Sequence, residues 1–319
     1  MARRHYRRGA PPCAPPMHLA LADCDLDSDA RTPTGVASEA PLHEALRARG
    51  VTFECPAWDD PGVDWGAFDA VLIRLTWTYH HRPRQFRAWL DRVAALVPVF
   101  NPPEIVRWNM DKRYLQDLER AGVPIAPTVW LPRGSAVDLA GTLESRGWST
   151  AFAKPVIGAT ASDTMRMRTV EERLEGQAFL EAQVARQDMF LQPYLGRVET
   201  EGEVSLMVVE GEVVHAVRKT PVPGDYRVQD DFDAVDERID VEPELARLAL
   251  AAVAAAPSPE SLLYARVDFL FLDDGAPVLN ELELIEPMFF MHHEPRCGAA
   301  LADGLLGRIE AARGGGGSA

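Results

Sequence analysis

Short apolar runs alternate with helix-like stretches through the first hundred residues of this chain. From Met17 to about Asn101 the runs HLALADC, VTFEC, DAVLIRL and VPVF are separated by segments near Ala40–Arg49 and Arg84–Ala95 with helical character. Strand–helix alternation of this kind predicts a parallel sheet covered by helices. NPPE at Asn101–Glu104 reads as a break, after which Asn109 or Asp111 caps a helix running to Arg120 and stopped by AGVP. From Thr128 to about Gln192 the strands PTVWL, AFAKPV, DTMRMR and MFLQPYL surround a helix near Glu171–Gln183. In the last block two apolar runs flank Glu210–Gly211, a hairpin signal. A helix over Pro243–Ala255 follows, then LYARVDFLFL, the turn DDGA and PVLNELELI. The predicted organisation is an N-terminal parallel α/β domain (17–105) and two α+β subdomains (106–191 and 192–312), with tails at 1–16 and 313–319.

The last strand poses a chemical question. Its polar positions are almost all acidic. With Asp273–Ala276 as a four-residue hairpin loop, Leu272 pairs with Pro277, which places Asp268 opposite Glu281 and Arg266 opposite Glu283 on one face. Opposed Cβ atoms lie about 5 Å apart. Two carboxylates there repel by roughly 3 kcal/mol at an effective dielectric near 20. A divalent cation between them explains the pattern, and oxygen ligands without nearby His or Cys suit magnesium. The alternative is a solvated acidic face, or one carboxylate held protonated. In the other hairpin a two-residue turn at Glu210–Gly211 puts Glu203 opposite Arg218, as a structural ion pair or as a wall of a ligand site.

Charge and composition narrow the partners. The net charge of −15 opposes non-specific binding to nucleic acid or an anionic membrane surface, and no apolar run approaches the ~18 residues of a membrane helix. Cys13, Cys24, Cys55 and Cys297 lie far apart and form neither a zinc pattern nor a disulfide framework, as expected of a cytoplasmic protein. The first sixteen residues are basic but lack the apolar core of a signal peptide, and RGGGGSA reads as a flexible end. Of 33 cationic residues, only Lys112, Lys154 and Lys219 are lysine. Magnesium on one or two carboxylates implies a phosphate ligand, and these ammonium groups are the candidates to hold it. Lys154 precedes the small-residue loop GATASD, where backbone N–H groups can approach phosphate. The pairs His80–His81 and His292–His293 read as loop or surface residues rather than metal ligands, because adjacent side chains on a strand face opposite ways and do not chelate as a pair.

These segments resemble the ATP-grasp superfamily in its glutathione-synthetase-like branch. FAKPVIGATASDT looks like the phosphate-binding lysine and its loop, FLQPYL like the adenine hinge, VRKTPVPGDYRVQ like the arginine pair with a following Asn, and RVDFLFL…VLNELELIEP like the magnesium-binding strands. IRLTWTYHHRPRQF and NPPEIVRWNMDKRYL resemble more closely the bacterial ATP-grasp proteins that include the cycloserine-forming cyclo-ligase. The likeness covers Met17 to about Ala312. Thr78 replaces an acidic residue of those relatives, and Ser162 stands where they often carry Arg.

The resemblance implies an ADP-forming carboxylate–amine ligase that works through an acyl phosphate, with two subdomains clamping ATP. Lys112, Lys154, Gly158, Gln192, Tyr194, Leu195, Glu203 and Lys219 would hold the nucleotide. Asp268, Glu281 and Glu283 would hold one or two magnesium ions, with Glu283 in an Asn position and Glu286 in a Ser position. Arg218 and Arg227 would bind the acyl phosphate or the substrate carboxylate, and Arg74, Trp77, Tyr79 and Gln229 the substrate. The substrates expected are a small carboxylate and an amine, joined within one molecule in the O-ureido-D-serine to D-cycloserine case. A homodimer is compatible with this reading. A nucleotide-binding regulatory or scaffold protein without turnover, or a ligase of peptides or carrier-bound substrates, are the alternatives.

Overall fold

A computed structural model of the chain describes residues 17–25, 32–159 and 161–315. The first sheet holds β1 (His18–Ala22), β2 (Thr52–Glu54), β3 (Ala70–Ile73) and β4 (Val99–Phe100), all parallel, in the order β2-β1-β3-β4. Helices α1 (Pro33–Ala48) and α2 (Pro83–Ala94) connect its strands. Thr32 caps α1 by accepting from the Gly35 N–H, and Pro33 sits in its first turn, so the helix begins earlier than Ala40 and runs through Pro41. Helix α2 buries Phe86, Trp89, Leu90 and Val93; Phe86 meets Trp58 edge-to-face, and Trp89 meets both Trp58 and Trp65 in the same way.

NPPE is a helix start rather than a break. Pro103 opens α3 (Pro103–Asn109), because its missing N–H costs nothing in a first turn. Asp111 then accepts from the Arg113 N–H ahead of α4 (Tyr114–Arg120). The second sheet is antiparallel at every pairing. It contains β5 (Val129–Leu131), β6 (Ala151–Pro155), β7 (Met165–Met167) and β8 (Met189–Gln192) in the order β5-β8-β6-β7. Its helices are α5 (Leu139–Arg146) and α6 (Val170–Val184), the latter started by a Thr169–Glu172 capping box.

A short helix α7 (Val198–Glu201) leads into the third sheet: β9 (Glu203–Val209), β10 (Glu212–Thr220), β11 (Val235–Ile239), β12 (Tyr264–Phe271) and β13 (Pro277–Glu283), antiparallel in the order β11-β10-β9-β12-β13. Helices α8 (Pro243–Ala254) and α9 (Arg296–Gly315) follow β11 and β13. Strand β11 and helix α9 carry no clear sequence signal. Helix α9 continues to Gly315, so the tail expected from 313 is partly helical, while 1–16 and 316–319 lie outside the described residues.

Period two divides this sheet into two faces. Val204, Leu206, Val208, Ala216, Ala265, Val267 and Phe269 pack with α8 and α4. On the other face Met207, Val209, Val217 and Tyr264 pack under α9 and the first domain. Helices α1 and α9 cross closely enough that a Cβ on Gly298 would lie 2.6 Å from the Leu42 nitrogen. The Tyr264 hydroxyl donates to the Ile285 carbonyl at 2.6 Å and lies 3.1 Å from the Ile73 carbonyl, while Asn101 bonds the backbone at Leu263, Tyr264 and Leu284. The first domain and the third sheet are therefore joined by buried polar contacts. No helix of the described residues is long and apolar enough to cross a membrane.

Candidate active site

Where the second face of the third sheet leaves the apolar core, its inward positions become Glu203, Ser205, Lys219, Arg266 and Asp268. Glu203, Lys219, Arg266 and Asp268 line a cavity between the second and third sheets with the first domain at one end, and Ser205 is buried beneath them. All three lysines of the chain reach this cavity. Lys112 is anchored by its backbone N–H to the Val156 carbonyl. Its ammonium donates to the Gly158 carbonyl at 2.8 Å and stands 3.5 Å from Glu281. Lys154, only 8% exposed, donates to Asn280 Oδ1 at 2.7 Å. Burial and the nearby Lys112 lower its pKa, against the attraction of Glu281. Lys219 pairs with Glu203 and lies 3.8 Å from Asp268.

Two β-bulges decide which side chains enter. In β10 an irregularity at Val214 shifts the register by one, so Glu203 faces Lys219 and not Arg218. Arg218 falls on the opposite face with Ala216, outside the cavity lining, 3.9 Å from Glu237. The expected phosphate role for Arg218 therefore has no geometric basis. In β13 the loop is one residue longer than expected, and Phe271, not Leu272, pairs with Pro277. A bulge at Asn280 restores the count, and Asp268–Glu281 and Arg266–Glu283 are opposed as the acidic pattern predicts. The extra residue turns Asn280 inward beside Glu281, where it accepts from Lys154 and donates to Glu203. Asn280 was missed in the sequence, although a signal exists: apolar residues at 279, 282 and 284 break strict alternation by one position.

The carboxylates do not store the repulsion expected of an unscreened pair. Arg266, buried between them, donates twice to Asp268 and once to Glu283, and Ser205 donates to Asp268 at 2.6 Å. Burial alone would raise Asp268, but Arg266 and Lys219 outweigh it and hold the carboxyl below its usual range. Burial pushes Glu283 up to about 7, against the pull of Arg266. The donor set still fits a hard divalent ion. Glu281 and Glu283 keep 22% and 28% of their side chains open, and Glu281 meets its cation no closer than 3.5 Å.

At the first-domain end Trp77 donates from its indole nitrogen to the Glu286 carbonyl at 2.9 Å, and its ring seats the first turn of α1 at Gly35. Tyr79 and Glu286 line the same end. Burial and the neighbouring Glu283 push the Glu286 carboxyl well above the usual range. Arg74 does not join them. It is 1% exposed, bonds Glu39 through two nitrogens at 2.9 and 2.6 Å, and lies over the Phe289 ring. This guanidinium is a structural tie, buried because β3 turns it into the α1 interface.

On the remaining walls Gln192, Tyr194 and Leu195 line the cavity after β8, with Gln192 donating to Thr128 Oγ1 at 3.0 Å. Gly158 folds onto Pro155, leaving no room for a Cβ without displacement. Arg227 reaches the lining but is held by Asp225 at 2.6 Å and stacked on Phe232. Gln229 also lines the cavity, and its Oε1 is buried with no hydrogen-bond partner among the described residues.

Comparisons with known proteins place this cavity in context. Residues 19–101 match the family described as "D-cycloserine synthetase DcsG, N-terminal domain", and residues 149–284 match the "RimK-like ATP-grasp domain". The chain is 34% identical over 255 residues to the cycloserine biosynthesis protein DcsG of Streptomyces lavendulae, covering 77% of this chain and 85% of that protein. The chain belongs to the ATP-grasp ligase family. The crystal structure of D-cycloserine synthetase DcsG superimposes with a TM-score of 0.81 at 30% identity over 92% of this chain and 99% of that one. The ATP-complexed D-alanine–D-alanine ligase of Bacillus anthracis shares the ATP-grasp fold, with a TM-score of 0.68 at 15% identity over 94% and 100% of the two chains. The protein is accordingly an ATP-dependent, ADP-forming carboxylate–amine ligase.

Proposed function

We propose that this ligase activates the carboxylate of a small amino-acid-like substrate as an acyl phosphate and closes a ring of the cycloserine type within one molecule. The observation that carries the reading is the division of one cavity into two ends. Three ammonium groups stand over carboxylates at one end, and Trp77, Tyr79 and the buried Glu286 form the other. Lys112 and Lys154 bind the nucleotide phosphates, with the backbone after β8 and the Gly158 loop completing the nucleotide side. Asp268, Glu281 and Glu283 would hold magnesium, which when bound neutralises charge on the phosphates.

Arg266 takes the role first assigned to Arg218. It is the buried guanidinium nearest the carboxylate cluster, and its fork suits an acyl-phosphate or carbonyl oxygen. Gln229, with an unpartnered buried oxygen, orients a substrate N–H. Glu286 receives the substrate ammonium, which would offset the burial that now raises its pKa. The ureido nitrogen bonded to oxygen, not the ammonium held by Glu286, then attacks the activated carbonyl carbon. The new C–N bond forms, phosphate leaves with the C–O electron pair and takes the proton that nitrogen releases, and water cleaves the ureido carbamoyl group from the ring nitrogen as carbamic acid. Trp77 and Tyr79 wall this end against water, so that the acyl phosphate meets the amine first.

The test is ADP release with magnesium and ATP across O-ureido-D-serine, its L-enantiomer, D-serine and D-alanine, with products identified by mass spectrometry. Cyclic product from the ureido substrate supports the reading. ADP release only with two separate amino acids, yielding a dipeptide, overturns it.

A further inference from the structure

Outside the carboxylate cluster, the described residues hold one other group with the composition of a metal site. Asp236 on β11 and the adjacent His292 and His293 bring ligand atoms within 4.8 Å of one another. Their sequence position argues against paired chelation only if the histidines lie on a strand. They lie instead in a turn after Phe290, whose φ is 46°, and the His293 N–H donates to the Phe290 carbonyl at 3.0 Å. The turn brings the two rings to the same side, 4.1 Å apart between centroids, and aims both Nε2 atoms at one carboxylate oxygen.

His293 Nε2 is within hydrogen-bond reach of Asp236, but both separations stand nearer the spacing of metal ligands than that of a charge-assisted hydrogen bond. A charge-assisted N–H···O bond closes to about 2.7–2.9 Å. Ligand atoms around a tetrahedral zinc, at roughly 2.0–2.2 Å from the ion, lie about 3.3–3.5 Å from one another. The two Nε2–Oδ2 separations are 3.4 and 3.2 Å. Side-chain exposures of 26%, 29% and 25% leave an entry path.

We propose that Asp236, His292 and His293 form a site for a divalent transition metal of the zinc class, distinct from the oxygen-only carboxylate cluster. Imidazole ligation selects against magnesium, and three protein ligands leave a fourth position for water or a ligand oxygen. Asp236 pairs with Lys219 in the ladder and lines the main cavity, so the metal ties the wall at β11 to the segment between β13 and α9. The Arg238–Glu294 ion pair at 2.9 Å already joins the same two segments.

The experiment is a titration of metal-stripped protein with Co²⁺ in excess Mg²⁺, which saturates the carboxylate cluster. The expected result is one equivalent of Co²⁺ with a visible spectrum of tetrahedral intensity, displaced by Zn²⁺. Because loss of a residue that only orients a ligand costs ~10–100-fold, His292→Ala, His293→Ala and Asp236→Asn should each weaken binding at least ~100-fold. ATP binding should stay intact in His292→Ala and His293→Ala, which lie outside the cavity lining, and this separates loss of the site from loss of the fold. As a measurement on the unaltered chain, Zn²⁺ should protect both histidines from diethyl pyrocarbonate, mapped by peptide mass spectrometry. An unchanged Co²⁺ spectrum in the His292→Ala/His293→Ala protein, no saturable binding, or no protection would overturn the proposal and leave a bifurcated hydrogen bond to Asp236.

Discussion

Deleting Asn280 tests what the β13 bulge is for. The bulge inserts a single residue, so its removal leaves Asp268 opposite the residue now numbered 281 and Phe269 opposite Leu279. Facing is also preserved, since Leu279 and Leu282 stay in the core and Glu281 and Glu283 stay in the cavity. The deletion thus removes one side chain's work while regularising the hairpin. That work is two hydrogen bonds, one from the Lys154 ammonium and one to the Glu203 carboxylate. Hydrogen bonds to charged groups are each worth about 1.5–3 kcal/mol. Water in the open cavity replaces part of this, and a net loss of ~2–3 kcal/mol remains for Asn280→Ala. At ~2–4 °C per kcal/mol for a unit of this size, its Tm falls by roughly 4–12 °C. The deletion variant should melt no lower than Asn280→Ala, because the ladder regains regular pairing. In both, ATP affinity should weaken ~10-fold, as Lys154 loses the partner that fixes it. Calorimetric melting and equilibrium nucleotide binding measure the two effects. If the deletion unfolds the protein while Asn280→Ala does not, the strand itself requires the bulge. If Asn280→Ala binds ATP within twofold of the parent, Asn280 does not position Lys154. Either result refutes this account.

Three further outcomes follow from the same contacts. Arg74→Met should destabilise the protein by ~3–5 kcal/mol in urea unfolding, because Glu39 is left buried without its cation, and Arg74→Met/Glu39→Met should recover much of that loss. Glu286→Gln should raise KM for the amino-acid substrate at least tenfold with ATP binding unchanged, and an unaltered KM would remove Glu286 from substrate recognition. His215, 1% exposed, has its pKa lowered by burial to about 4, so below pH 6.5 the unfolded chain takes up a proton that the native state refuses. It therefore costs stability as pH falls from 6.5 to 4, by about 1.4 kcal/mol per pH unit, and His215→Gln should unfold with a shallower acid dependence than the parent.

The alternating parallel half, both hairpins, and the carboxylates of the last strand were legible because each rests on a local period or a turn residue. The three lysines were legible through scarcity, in a chain that otherwise uses arginine. Register was only half legible. Counting outward from a turn assumes a regular ladder, and Val214 and Asn280 each break it. The first break exchanged Arg218 for Lys219 opposite Glu203. The second compensated a loop longer by one, so the predicted pairs Asp268–Glu281 and Arg266–Glu283 stand despite a wrong turn. Arg74 misled for another reason. A strand-end arginine in a parallel sheet points to ligand, but tertiary packing of α1 placed Glu39 against it. The His292–His293 pair was discounted on a strand geometry that the turn after Phe290 does not adopt.

The seam at Tyr264 and Asn101 bears on how such chains can be recombined. Two family descriptions divide the sequence into an opening segment and a catalytic one, which invites exchange of the first part to alter substrate choice. Yet the Tyr264 hydroxyl is satisfied by the carbonyls of Ile73 and Ile285, and the Asn101 side chain is spent on backbone at Leu263, Tyr264 and Leu284. A transplanted opening segment lacking these partners would strand several buried dipoles at once, each costing about 1–3 kcal/mol. A workable chimera therefore places its crossover before Asn101, so that Asn101 stays with the backbone at Leu263, Tyr264 and Leu284 that it satisfies.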